Sequence, residues 1–455
     1  MSAKVSRKIS AEPATRFSPT TLFSSGFGIL IGLSLLKFGN PCTFDSFVVW
    51  PENGFEWALN HWPIKVGYGL LAVLIVAGLF VARWRTALPR WLLILPAVWL
   101  LWQFVCAART VDGELTRLTV IHFAACVVCF YLGLLCAGKS RTPAAFWLPV
   151  LVAFVIVIAW GLHQRFGGLE ETRKYFSTYV YPHLESVSPE YLKKMSSDRI
   201  FSTLFYPNSL AGVLLLLLPP LSVFLWQQST RFTFAARCFL VGCLGIGSLA
   251  CLYWSGSKGG WLIALTLALI GLLHLRFSTQ LKFSLVVAVL VVGIAGFAVR
   301  YAGFFQRGAT SVVARFDYWR AGLQTVAANP VFGTGPGTFG ESYKRIKKPE
   351  SEMAKLAHND YLQQATDSGL PACLCYTGWI IGILWFGYRK PDKPESAMAF
   401  CVWLGLLGWT IQGAMEFGLY IPAMAWTAFA ISGLLLSETC NKLAVAKAVT
   451  TGFNK

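Results

Sequence analysis

Long runs of apolar residues separated by short polar segments dominate this chain of 455 residues. A helix needs about 20 mostly apolar residues to cross a lipid bilayer, and about twelve stretches meet that requirement. They lie near residues 20–38, 64–82, 91–108, 117–137, 144–163, 208–226, 236–254, 259–275, 282–300, 370–388, 397–415 and 421–437. The pattern predicts an all-α polytopic membrane protein that forms a single membrane domain over residues 1–455.

Most connections between these stretches are short, but two are long, at residues 164–207 and 301–369. Connections of this length are usually functional or disordered. Both contain aromatic residues and helical periodicity, so we expect a helical cap over the membrane bundle. The periodicity in the second loop involves Val312, Phe316, Trp319, Leu323 and Val326, and the pair Asn329-Pro330 should end that helix.

A second helical pattern in the same loop involves His358, Tyr361, Leu362 and Ala365. These residues would share one face of a helix that ends at Gly369, with Pro371 beyond it. That face is apolar apart from the imidazole and the tyrosine hydroxyl. We therefore expect the helix to lie flat on the bilayer and to point the imidazole toward the headgroups.

Charge is sparse and unevenly distributed. Only 13% of residues are charged, whereas soluble domains carry roughly 25%. If the amino terminus is cytoplasmic, the cytoplasmic segments hold 19 of the 39 basic residues and four acids. This positive-inside asymmetry predicts that both termini are cytoplasmic and that both long loops lie outside. The net charge of +18 follows from membrane topology and does not predict a nucleic-acid partner.

The twelve cysteines show no metal-binding spacing, and most lie within spans, where cysteine behaves as a small apolar residue. The acids of the outer loops form no close pair and no Asp-x-Asp pattern. We therefore expect neither a metal nor another cofactor.

His358 is the leading candidate for chemistry. A neutral imidazole on a loop beside a membrane is suited to act as a general base for a hydroxyl nucleophile. The alternative is a surface histidine on an amphipathic helix, which is the default for any single histidine.

Three basic residues are candidates for binding phosphate. Arg315, one helical turn before Trp319, would bind phosphate through two hydrogen bonds or stack on the indole ring. Lys258 lies in a short turn rich in glycine and serine, and it would approach a phosphate or extend toward water. Arg199 ends the first long loop and is also explained as a membrane-boundary charge. The glycine-rich segment 333–340 is either an anion-binding nest or a structural turn, and Pro336, which lacks an amide hydrogen, favours the turn.

Several segments, in order, resemble the bacterial O-antigen ligase and polymerase superfamily of membrane glycosyltransferases. They are RIFSTLFYPNSLA from Arg199 to Ala211, SGSKGGW from Ser255 to Trp261, RFDYW from Arg315 to Trp319, NPVFGTGPGTF from Asn329 to Phe339 and HNDYLQQATDSGLP from His358 to Pro371. The resemblance is close over residues 199–390. Elsewhere it depends on the number of spans and on the long outer loop before the last three.

The resemblance implies transfer of a saccharide from an undecaprenyl-pyrophosphate-linked donor to a glycan or lipid A–core acceptor. The reaction would take place at the periplasmic face of a bacterial inner membrane. It implies that His358 is the catalytic residue and that Arg315, Lys258 and Arg199 bind pyrophosphate, with Asn359, Tyr361 and Trp319 in supporting positions. Lys258 stands where the family motif has arginine, so the planar fork of a guanidinium is missing there.

Two other classes of protein remain open: a transporter or flippase of lipid-linked saccharides, and a purely structural membrane scaffold. A transporter or flippase of lipid-linked saccharides also fits about twelve spans, but it should carry ionisable residues near the middle of its spans. The predicted spans hold few such residues: His122 is the clearest, while Lys37 and Glu416 lie near span ends. Surface chemistry is therefore favoured. The sequence does not distinguish a polymerase from a ligase.

Overall fold

The computed structural model describes residues 18–84, 86–175, 177–178, 181, 196–306, 310–391 and 393–452. The α-helices are α1 (Pro19–Lys37), α2 (Gly54–Leu59), α3 (Ile64–Val81), α4 (Arg90–Ala107), α5 (Gly113–Leu135), α6 (Ala144–His163), α7 (Leu169–Tyr175), α8 (Pro207–Gln228), α9 (Phe234–Ser255), α10 (Lys258–His274), α11 (Thr279–Gln306), α12 (Thr310–Ala328), α13 (Phe339–Ile346), α14 (Asp360–Gly387), α15 (Pro394–Gly413) and α16 (Pro422–Gly452). Within these ranges no residue forms a β-strand, and the predicted all-α polytopic class is confirmed.

Each predicted span corresponds to one long helix. Ten of the described helices are long and apolar enough to cross a membrane. The other two that correspond to predicted spans are α10, an apolar helix of 17 residues, and α16, which packs in the interior of the bundle. The sequence pattern therefore located the helices well, because apolar length is a local property.

Helix α16 forms the centre of the bundle. Its residues 422–437 are all buried, and it packs mainly against α5 and also against α1. Glycines allow the closest contact: a Cβ at Gly433 would lie 2.2 Å from the Phe130 carbonyl oxygen, and one at Gly133 would lie 2.3 Å from that of Ala430. Small residues at such crossings allow two backbones to approach, which is how membrane helices gain packing energy.

The second long segment contains two helices before α14 begins. Helix α12 ends at Ala328, directly before Asn329-Pro330, as predicted. On this helix Phe316 and Leu323 are exposed, whereas Tyr318 and Ala321 are buried against the protein. The described part of the first long segment continues from α6 through a π-helical turn, Gln164–Gly168, into α7.

Helix α14 consists of two helical pieces joined at Gly369, whose φ is 77° and ψ 174°. The predicted break at Gly369 is thus confirmed. The predicted position of the first piece is wrong. Residues 363–369 are all buried, and Asp360 is 1% exposed, so this piece lies inside the protein rather than flat on a bilayer. Its polar side chains find partners there, an outcome that hydropathy alone did not indicate.

Candidate functional site

Glu416 joins three distant segments of the chain at one end of the bundle. It lies in the turn between α15 and α16, and its side chain is 13% exposed. Its Oε1 accepts hydrogen bonds from Asn208 Nδ2 at 2.6 Å and from Arg315 Nη2. Its Oε2 lies 3.1 Å from His358 Nδ1. One carboxylate therefore fixes the start of α8, the first half of α12 and His358, which lies two residues before α14.

Glu416 is held in its ionised form. Burial raises its pKa, but the hydrogen bond from His358 and the positive charges of Arg315 and Arg199 together outweigh burial, so that the pKa is lowered from its ordinary value of 4.5. A carboxylate that is ionised at neutral pH accepts hydrogen bonds and donates none. The nitrogen of His358 that faces it must therefore carry a proton.

This geometry gives His358 a defined tautomer. With the proton on Nδ1 directed at Glu416, Nε2 is left to accept a proton in the neutral imidazole. The ring stacks on Tyr318 at 5.8 Å and meets the Phe417 ring edge-on at 4.7 Å. The side chain is 29% exposed. An oriented, accessible imidazole with a carboxylate behind it is the arrangement of a general base.

The sequence pattern placed His358 on a face of α14. In the structure His358 instead lies before the helix begins. Its φ of 51° is in the left-handed region, which few residues other than glycine adopt and which histidine tolerates better than most. Asn359 is the N-cap of α14: its Oδ1 accepts a hydrogen bond from Leu362 N at 2.9 Å. The cap fixes where the helix starts and thereby where the imidazole projects.

The other two supporting candidates lie in structural positions. The Tyr361 hydroxyl donates to the Thr410 carbonyl oxygen at 2.9 Å and so ties α14 to α15. The Trp319 ring contacts Phe316 edge-on at 5.8 Å. Its indole nitrogen is buried and has no partner among the described residues.

The two candidate arginines are already engaged with the protein. Arg315 donates through Nε to the Met415 carbonyl oxygen and through Nη1 to that of Ser311, both at 3.2 Å, in addition to its bond with Glu416. Arg199 donates through Nε to the Ser255 carbonyl oxygen at 2.7 Å and through Nη2 to Asn208 Oδ1 at 2.6 Å. Both guanidinium groups thus supply charge while their geometry is fixed.

Lys258 differs from both arginines. Across the described residues its ammonium group has no hydrogen-bond acceptor and no acidic partner. It lies 3.9 Å from the centroid of the Phe304 ring and 5.2 Å from that of Tyr301. A Cβ at Gly259, the next residue, would lie 3.5 Å from the Met415 side chain, so this first turn of α10 adjoins the turn that carries Glu416. Lys258 is therefore a cation with all three donors available.

The glycine-rich segment is a structural turn, because its amides are used internally. Gly337 N donates to Asp367 Oδ2 at 2.9 Å, and Gly335 N donates to the Asp367 carbonyl oxygen at 2.8 Å. Thr334 N donates to the Thr366 carbonyl oxygen at 3.1 Å. The segment anchors α14 and is not an anion nest.

Sequence reasoning missed the central role of Glu416 and the buried acids of α14. Glu416 was noted only as a span-end residue, although it is the one acid between residues 396 and 437 of the sequence. Asp360 and Asp367 are buried inside a helix that belongs to the candidate spans. The described spans are therefore less free of ionisable residues than the sequence pattern suggested. Among the described residues no group of His, Cys, Asp and Glu side chains is arranged to hold a metal ion.

Residues 243–377, a little under a third of the chain, match the sequence model of the O-antigen ligase family. Over this segment the chain is similar to O-antigen ligases. The matched O-antigen ligase segment contains Lys258, Arg315 and His358, while Arg199 and Glu416 lie outside it. No curated protein matches the chain.

Proposed function

We propose that this protein transfers a saccharide from undecaprenyl pyrophosphate to a hydroxyl group of a glycan or lipid A–core acceptor. The observation that supports it most is the His358–Glu416 pair, which is oriented, partly exposed and surrounded by several cations. The match of residues 243–377 to the O-antigen ligase family supports it as well. The proposed reaction takes place at the periplasmic face of the inner membrane, with both termini in the cytoplasm. Ligase and polymerase activities differ only in the acceptor.

In the proposed step the acceptor oxygen attacks the anomeric carbon while the bond from that carbon to the pyrophosphate oxygen breaks. The hydroxyl proton passes to Nε2 of His358, and the electron pair of the broken bond leaves with pyrophosphate. Glu416 accepts the Nδ1 proton in a hydrogen bond and stabilises the imidazolium that forms. Direct displacement inverts the anomeric configuration, so a product that retains it would contradict this scheme.

The cations stabilise the pyrophosphate as it leaves. Pyrophosphate leaves without protonation if positive charge already surrounds it, so the scheme needs no metal. Lys258, with its donors available, is the proposed direct ligand. Arg315 and Arg199 add positive charge from fixed positions, and Arg315 does so while paired with Glu416. Lysine binds phosphate as a point charge and does not impose the bidentate geometry of arginine.

The test compares His358→Ala with His163→Ala in a strain that lacks the chromosomal gene. His163 is a matched control, because it is also a partly exposed histidine with a carboxylate neighbour, Glu171 at 3.4 Å. We expect His358→Ala to lower glycan output by roughly 10²- to 10⁴-fold, the usual contribution of a general base. His163→Ala should match the wild type. Membrane protein levels establish that both variants fold.

The saccharides attached to the carrier lipid in the same strains distinguish a polymerase from a ligase. Accumulated single repeat units on the carrier would indicate a polymerase, whereas long carrier-linked chains would indicate a ligase. Unchanged glycan output in His358→Ala would refute the proposed mechanism and favour a transporter of lipid-linked saccharides.

A further inference from the structure

Helix α11 brings two further polar side chains to Lys258. Tyr301 is the buried side chain of this helix, at 4% exposed, and its hydroxyl has no hydrogen-bond partner among the described residues. Lys258 Nζ lies 5.2 Å from the centroid of the Tyr301 ring, and Arg300 Cζ lies 5.6 Å from the same centroid. One tyrosine ring is thus contacted by two cations.

Arg300 is available for a ligand. Its side chain is exposed, and its guanidinium also lies 5.0 Å from the centroid of the Tyr253 ring. Over the described part of the chain it donates no hydrogen bond to a protein acceptor and has no acidic partner. Cation–π contacts of this kind leave the N–H donors of arginine at the edge of the group free to bind an anion.

The charge balance around these residues is strongly positive. Arg199, Arg300 and Arg315 lie within electrostatic range of Lys258, and Glu416 is the acid that interacts with Arg199 and Arg315. Four cations against one carboxylate leave three positive charges in excess. Gathering like charges at a partly buried position is unfavourable unless an anion of comparable charge binds there. A pyrophosphate diester, which carries two negative charges, meets that requirement.

We propose that Arg300 and Tyr301 bind the pyrophosphate of the lipid-linked donor together with Lys258. Arg300 donates to the phosphate oxygens from the open side, and the Tyr301 hydroxyl donates from the buried side. This inference rests on the proposed function, and it adds residues that lie on a helix away from His358 and Glu416.

The position of the two residues on α11 suits a donor with a long hydrocarbon tail. Arg300 and Tyr301 lie near the end of a 28-residue apolar helix. Along that helix Val292, Ile294 and Val299 are exposed. A tail that lies along this surface remains in the lipid while its pyrophosphate reaches the cations at the helix end. The helix therefore orients both parts of the donor.

The experiment measures binding of undecaprenyl pyrophosphate to the full-length protein in nanodiscs, without any acceptor. The variants are Arg300→Gln, Arg300→Lys and Tyr301→Phe. The control is Lys282→Gln, which changes a cation near the opposite end of the same helix, where Lys282 Nζ donates to the Leu273 carbonyl oxygen at 3.1 Å. Undecaprenol and phosphatidylglycerol serve as competitors that carry only the tail or only an ordinary lipid phosphate.

We expect Arg300→Gln to weaken binding by about tenfold or more, because it loses a charge-assisted hydrogen bond. Arg300→Lys should lose less affinity, and Tyr301→Phe should lose roughly threefold to tenfold in affinity. Lys282→Gln should bind undecaprenyl pyrophosphate as the wild type does. Undecaprenol should compete equally poorly against every variant.

Two results would overturn the assignment. Wild-type affinity in both Arg300→Gln and Tyr301→Phe would remove these residues from the site while leaving the proposed function intact. Equal competition by phosphatidylglycerol would show a site for membrane headgroups rather than for the donor. If the wild-type protein itself did not bind undecaprenyl pyrophosphate, the proposed function would fail as well.

Discussion

Helix α14 connects two polar clusters that differ in almost every physical property. The Glu416 cluster consists of Glu416, His358, Arg315, Asn208 and Arg199. It pairs one carboxylate with charged partners and leaves His358 29% exposed. The Asp367 cluster consists of Asp367, Gln363, Gln364 and Tyr420, all of which are fully buried. The two clusters are separated by little more than two turns of one helix.

The partners of the Asp367 cluster are neutral donors. Asp367 Oδ2 accepts from Gly337 N at 2.9 Å, from the Tyr420 hydroxyl at 3.0 Å and from Gln363 Nε2 at 3.3 Å. Gln364 Oε1 accepts from Trp99 Nε1 at 2.8 Å. Such bonds fix backbone segments against one another.

The difference shows that one cluster stabilises the fold, whereas the other positions residues for the proposed reaction. Both clusters contain an acid, but Asp367 binds a glycine turn and a tyrosine of the core, whereas Glu416 orients an imidazole that reaches solvent. We therefore expect changes in the Glu416 cluster to affect activity, and changes in the Asp367 cluster to affect the free energy of unfolding.

The largest expected effect comes from Glu416→Gln. Glutamine keeps the shape of the side chain but loses the charge that orients His358 and stabilises an imidazolium, so we expect roughly a 10²- to 10³-fold loss of glycosyl transfer. In vitro transfer assays on purified protein measure this loss of activity. Glu171→Gln, which alters the carboxylate beside His163, is the matched control. A variant with full activity would show that Glu416 does not assist His358.

The same substitution should also affect stability in a pH-dependent way. Because the pKa of Glu416 is lowered from its ordinary 4.5, the ionised form stabilises the fold above that value, and the stabilisation is lost as pH falls through the lowered pKa. The wild type should therefore unfold at a higher temperature than Glu416→Gln at pH 7, and the two should converge once the pH falls below the lowered pKa of Glu416. A difference in melting temperature that did not change with pH would contradict this.

Gly369→Ala should destabilise the protein by about 4 kcal/mol, from the left-handed backbone and the forced shift of a neighbour. A Cβ there would lie 1.9 Å from the Val331 carbonyl oxygen. Gly378→Ala on the same helix is the control, since its Cβ would meet only Leu95 at 3.9 Å, and it should be neutral or stabilising. Thermal unfolding in detergent compares them. Equal melting temperatures would show that the break at Gly369 is not required.

Asp367→Ala should lower the free energy of unfolding by about 3 kcal/mol, because buried donors lose their acceptor. Protein that remains folded should retain transfer activity per molecule, in contrast to Glu416→Gln. Thermal unfolding and activity normalised to folded protein test the two halves separately. Loss of activity without loss of stability would remove the distinction between the clusters.

The smallest expected effect is that of Asn359→Ala, which removes the N-cap of α14 and should cost about 1 kcal/mol. Asn359→Asp keeps the acceptor oxygen and should restore stability. Chemical unfolding curves of the two variants provide the measurement, and identical curves would show that the cap contributes nothing.

The sequence by itself determined the class of fold, the positions of the long helices and the places where helices stop. Apolar length decides whether a segment crosses a bilayer, and Asn329-Pro330 and Gly369 interrupt helices through local backbone geometry. The family motifs also singled out His358, Arg315 and Lys258 as the candidates for chemistry.

Only the tertiary structure decided how those residues are used. Glu416 lies 58 residues from His358 and 101 from Arg315, and no local pattern indicates that these positions meet. The tertiary structure also decided that Arg199 and Arg315 form hydrogen bonds with the protein, whereas the donors of Lys258 remain available for a ligand. It buries the start of α14 as well. The physical reason is that hydropathy fixes each helix separately, whereas the pairing of helices determines which helix ends share one site.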